Sequence, residues 1–167
     1  MNRRIIVAAA LCLALAQGAT AGELDSFIAP VDGASITWSR NYDAAHLAAH
    51  PDQLVTAMQL AVSYEIFDPA LEGQVNFELQ AALRGGKQGV TTGTCMPYGQ
   101  NMWCGVECDG GGILVSKRPG GSVLVNLANV GYIRMSEVGC GEDENSEGGS
   151  FDLTSGKDDK LFLLNRQ

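Results

Sequence analysis

The sequence predicts an all-β domain, a small antiparallel sandwich or barrel with one short N-terminal helix and disulfide staples. Three observations predict it. Apolar and polar residues alternate with a period of two in several stretches, the mark of half-buried strands. Glycine fills 21 of 167 positions, mostly at the breaks between those stretches. The breaks recur at short, even spacing, as in sandwiches and barrels.

Taken in order, Ser35 to Trp38 is the first strand. "NYDAAHLAAHPDQ" is the helical stretch: Asp43 offers an N-cap, alanines fill a turn or two, and Pro51 ends it. Thr56, Met58, Leu60, Val62, Tyr64 and Ile66 then form an apolar stripe backed by Gln59, Ser63 and Glu65. The stretch QLVTAMQLA also suits a helix, but alternation kept up to Ile66 favours a strand, stopped by Asp68-Pro69. Val75, Phe77, Leu79, Ala81 and Leu83 repeat the pattern until Gly85-Gly86. Ile113 to Ser116 and Ser122 to Leu127 flank Lys117-Arg118-Pro119-Gly120-Gly121, a hairpin whose turn combines a fixed φ with a positive one. Tyr132, Arg134 and Ser136 alternate with Ile133 and Met135. "SFDLTSG" and "KLFLLN" read as a last antiparallel pair, for a total of eight to ten strands.

The N-terminus has a separate role. Arg3 and Arg4 precede an apolar run from Ile5 to Ala16, and Ala19-Thr20-Ala21 fits a small-x-small cleavage site. This is the pattern of a secretory signal peptide, residues 1–21, too short in its apolar run to span a bilayer comfortably. Leu11 before Cys12 argues against a lipidated cysteine, which follows a small residue. Residues 22–167 are then one β-rich domain, periplasmic or secreted, with no membrane span. Loss of Arg3 and Arg4 takes the formal net charge from -8 to -10. So acidic a surface repels phosphate backbones and anionic lipid, which excludes nucleic acid as a partner.

Four cysteines remain: Cys95, Cys104, Cys108 and Cys140. An even number in an exported chain favours disulfides. Structural zinc asks for two close pairs, and neither Cys95 nor Cys140 has a close mate. Met102, Cys104, Val106 and Cys108 share one strand parity. Extended residues four apart lie about 13 Å apart, and a disulfide needs Cα atoms within about 7 Å. A straight strand therefore forbids Cys104–Cys108. Folding back around Gly99-Gln100 sets Cys95 against Cys104 and leaves Cys108 for Cys140. The rival pairing joins Cys95 to Cys108 and Cys104 to Cys140.

Candidate site residues fall in three groups. His46 and His50, four apart, have metal-ligand spacing on a helix, but the glutamate of H-E-x-x-H is missing. Glu65, Glu78, Glu107 and Asp109 lie in or beside strands, as a glycosidase's carboxylates would, with nothing in the sequence to set two across a cleft. Glu142, Asp143, Glu144 and Glu147 form an acidic segment after Cys140. They suit calcium, with Asp109 as a further ligand, or docking of a basic extracytoplasmic protein. No G-x-S-x-G, P-loop or dinucleotide fingerprint is present, and no catalytic residue or organic cofactor is indicated.

"LAAHPDQLVTAMQL", "GTC…WCGVECDGGG" and "DDKLFLL" resemble segments of small exported bacterial proteins of an uncharacterised family. The resemblance implies export and a bacterial source, and carries no function. In size, acidity and staple use the chain also resembles small β-domains that inhibit cell-wall hydrolases. That implies a basic enzyme as partner, met through an acidic groove or loop. The expected function is a non-catalytic binding or inhibitor module for a protein or cell-envelope ligand. The alternatives are a structural or envelope-stress protein, and a small extracytoplasmic hydrolase or a calcium- or zinc-binding protein.

Overall fold

Alternation along the sequence becomes an inside and an outside in the computed structural model, which describes residues 23–136 and 149–167. The expected signal peptide, Cys140 and the acidic residues Glu142, Asp143, Glu144 and Glu147 lie outside the described residues. Seven strands follow one another as antiparallel neighbours: β1 (Ser35–Asn41), β2 (Val55–Glu65), β3 (Gln74–Leu83), β4 (Gln88–Tyr98), β5 (Asn101–Gly105), β6 (Gly112–Lys117) and β7 (Val123–Asn126). β8 (Tyr132–Ser136) and β9 (Ser150–Thr154) form a hairpin outside this series, and β10 (Leu161–Arg166) returns to lie between β7 and β1. With β1 through β7 and β10 each paired on both sides, eight strands close into a barrel, and the β8–β9 hairpin joins β4 through the Val90–Ser136 pair. The architecture is all-β, as the sequence predicts.

An eight-stranded barrel has room inside for side chains and little else. Leu60, Leu79, Met102, Cys104, Ile113, Val115, Val125 and Leu164 fill it, all without exposure to solvent, together with Val62, Phe77, Val123 and Phe162. The interior is thus a packed core. Trp38 closes one end, its indole N–H donating to the Gly121 carbonyl at 2.9 Å. That carbonyl is presented by the predicted turn, where Gly120 takes φ +76° in a short 3-10 segment, Pro119–Gly121.

Two strand readings need correction. Thr56 leaves the interior stripe because a β-bulge between Val55 and Ala57 makes it the extra residue. Val55 takes the buried position, and the Thr56 hydroxyl donates to the Ala82 carbonyl. The "SFDLTSG" and "KLFLLN" segments do not pair with each other. β9 pairs with β8, and β10 pairs with β7 and β1. The physical reason is burial: Phe162 and Leu164 complete the barrel interior, whereas Leu153 packs with Ile133 on the hairpin. Residues 155–160 are therefore a crossing from hairpin to barrel.

The first disulfide is as expected. Tyr98 faces Asn101 across the Gly99-Gln100 turn, Cys95 lies opposite Cys104, and the two are bonded. The straight segment ends at Gly105, so its parity does not reach Cys108, which sits exposed in a turn with φ +57°. Its expected partner, Cys140, is outside the described residues. Replacing both Cys95 and Cys104 by serine is expected to cost about 2–3 kcal/mol, the loop-closure value for so short a loop. Denaturant midpoints measured against the oxidised and reduced wild type check it.

Candidate functional site: a capped barrel mouth and an acidic outer groove

At one end of the barrel sits the predicted helix, α1 (Ala44–Ala49). Asp43 caps it, accepting the His46 N–H at 2.7 Å. Its last carbonyls lack intrahelical partners, and a cation suits them. Arg84, just past β3, supplies one: its guanidinium donates to the carbonyls of Leu47 (2.6 Å), Gln53 (2.6 Å) and His50 (3.2 Å).

His46 and His50 do share a face, with stacked rings 4.4 Å apart, and Tyr42 lies 4.7 Å from His46 on the other side. Gln53, 4% exposed, donates its amide to the Val55 carbonyl at 2.7 Å. Its carboxamide oxygen therefore faces His46 Nε2 at 3.0 Å and can only accept, so Nε2 carries the proton. The ring's hydrogen bond goes to an amide, not to a hydroxyl or thiol, and Nε2 has no lone pair to offer a metal. Among the described residues no three His, Cys, Asp or Glu side chains converge as a metal site.

Asp159 completes this end. It is 2% exposed and accepts the amides of Leu54 (2.7 Å) and Val55 (3.2 Å), tying the 155–160 crossing to the start of β2. Beside it Asp52 accepts from Lys157 at 2.8 Å and donates its amide to Asp158 at 3.2 Å. No local pattern marks these partners, which lie more than a hundred residues from one another. Burial raises the Tyr42 hydroxyl above its ordinary value of 10.0; Arg40 opposes this and Asp159 adds to it. A raised folded-state pKa means the folded chain holds a proton that the unfolded one has released. That contribution to stability is whole below pH 10 and is lost as pH rises through the folded value. Tyr42→Phe is thus expected to soften the alkaline fall in stability, read as denaturant midpoints at pH 8 and pH 11 for both proteins.

Asp109 lies in the turn after β5, with φ +61°, and its carbonyl accepts the Tyr132 hydroxyl at 2.6 Å. Arg134 is close by, paired with Asp152 at 2.9 Å. Its guanidinium is held more firmly charged first by Asp152 and, more weakly, by Asp109.

The other glutamates converge. Outward-facing residues of β1 to β4 lie in cross-strand rows, among them Thr37–Ala61–Glu78–Thr92 and Ser35–Ser63–Asn76–Thr94. Most of these side chains are small, and all but Thr37 line an open groove of about 600 Å³ together with Glu65, Phe67 and Glu107. Gly93, opposite Phe77, turns its missing side chain to the inner face, where a Cβ would strike the Gly105 carbonyl and the Phe77 ring. Glu65 accepts from the Ser63 hydroxyl at 3.1 Å, and Glu78 from the Gln80 amide at 2.7 Å. No Lys or Arg among the described residues lines the groove. Phe67 is 74% exposed at its edge. Glu65 and Glu78 are half-buried and Glu107 is exposed. The arrangement offers negative charge beside apolar surface, which suits recognition.

Among the described residues no helix is long and apolar enough to cross a membrane. Set against family models, curated proteins and solved structures, the chain finds no match in any of the three, so the chemistry of its own residues carries the functional reading.

Proposed function

We propose that the protein is an exported, non-catalytic binding module that recognises a basic protein outside the cytoplasm. Export rests on the Arg3-Arg4 start, the apolar run from Ile5 to Ala16 and Ala19-Thr20-Ala21. The observation that carries the binding reading is the outer groove, with three glutamates, an exposed phenylalanine and no lining cation among the described residues. The packed barrel supports it, since specificity then has to be displayed on the wall and the loops. A negatively charged surface draws a basic partner by long-range attraction and turns away acidic ones. Glu142, Asp143, Glu144 and Glu147 add to that field in the same sense.

An inhibitor of a basic cell-wall hydrolase is the specific form of this reading suggested by size, charge and staple use. The test is retention on the immobilised protein from an extracytoplasmic extract of its host, eluted in a salt gradient. The retained proteins are expected to be basic and to leave as salt screens the charges. One-to-one inhibition of a cationic hydrolase among them would make the module an inhibitor. Retention of nothing, or of acidic and neutral proteins equally, contradicts the proposal.

A further inference from the structure

Resting on the binding reading above, we infer that the outer face of β1 to β4 is the docking surface, and that its occupant is an extended basic segment of the partner. Four cross-strand rows make up this face. Asn41–Ala57–Ala82–Gln88 and Ser39–Gln59–Gln80–Val90 continue the two rows that floor the acidic groove. Successive rows on one face lie about 7 Å apart, so the four span about 20 Å, the length of about six extended residues. The first two rows line a second hollow of about 690 Å³, with Lys87 at its edge.

The charge along this face is polarised. Glu65, Glu78 and Glu107 surround one end, and Lys87, its ammonium 4.1 Å above the Phe151 ring, marks the other. Gln59 and Gln80 lie between, with amides able to meet a peptide backbone. An Arg or Lys side chain of the segment lies over Ala61 and Thr92 within reach of the carboxylates. An adjacent apolar residue packs on Phe67, and an arginine there gains the face of its ring as well. Ile66 and Leu71, exposed in the same loop, extend that apolar contact. The small residues matter because long side chains at Ala57, Ala61, Ser63 and Ala82 would fill the channel. Nucleic acid and anionic lipid are repelled by the same glutamates.

The experiment titrates the protein purified from its host with the blocked peptide Gly-Arg-Trp-Arg-Gly-Ser, its Glu-for-Arg counterpart, and spermidine, followed by amide chemical shifts. The arginine peptide is expected to move the amides of Glu65, Phe67, Glu78, Thr92 and Thr94. Combined Glu65→Gln, Glu78→Gln and Glu107→Gln are expected to weaken it about tenfold or more, and Phe67→Ala about threefold, with unchanged denaturant midpoints. Shifts confined to residues 142–147, equal binding by the combined variant, or spermidine binding as tightly as the peptide would overturn the inference. Basic proteins retained by wild type and combined variant alike would sink the groove and spare the broader reading. Failure of both peptide and basic proteins to bind would sink both.

Discussion

Phe162→Ala is expected to lower the unfolding free energy by about 3–5 kcal/mol, the usual range for truncating a buried aromatic. Phe162 is 1% exposed, opposite Val125 on β7, and belongs to the strand that closes the barrel. A closed barrel has no free edge to shift inward, so most of the lost volume stays as a cavity. That loss is a large share of the margin of about 5–15 kcal/mol typical of a domain. Leu161→Ala, at a neighbouring position 53% exposed on the outer face, is expected to cost less than about 0.5 kcal/mol. Equilibrium unfolding in denaturant compares the two, and equal effects would mean β10 faces the other way.

Asp159→Ala is expected to cost about 2–4 kcal/mol. The carboxylate accepts two amides at the start of β2, and its removal leaves both donors without a partner at a water-poor site. The crossing that carries Asp159 also delivers β10 to the barrel, so its anchor and the closing strand are coupled. Asp159→Asn keeps one acceptor oxygen and is expected to fall between wild type and alanine. Hydrogen exchange adds a local reading: the amides of Leu54 and Val55 are expected to lose protection in the alanine variant before the barrel core does. Unchanged protection there would contradict the assigned role.

How much was legible in the sequence follows from how local each signal is. The Cys95–Cys104 pair was readable because a two-residue turn and strand parity set it within one hairpin. The Val75 to Leu83 stripe and the Asp43 cap are equally local. The bulge at Thr56 was hidden because one extra residue changes the face of a strand without altering its composition. The partners of β9 and β10 were misread because nearness in sequence favours a hairpin, while the outcome is decided by which apolar pair the barrel interior needs. Asp159 and Arg84 carry no local signal, since their partners arrive only when the chain folds. Glu65, Glu78 and Glu107 were visible singly as strand-side carboxylates. Their meeting around one groove depends on the register of β2, β3 and β4 and on where β5 ends, which no window of the sequence contains.

The most direct test of recognition through acidic charge is the association rate with a basic protein retained from the host extract, measured by surface binding at low and high ionic strength. A steep fall in the wild-type rate with added salt is predicted, because long-range attraction is screened. The rate should also fall when Glu142, Asp143, Glu144 and Glu147 are neutralised, with dissociation changing less. An association rate indifferent to salt and to these charges would contradict the account.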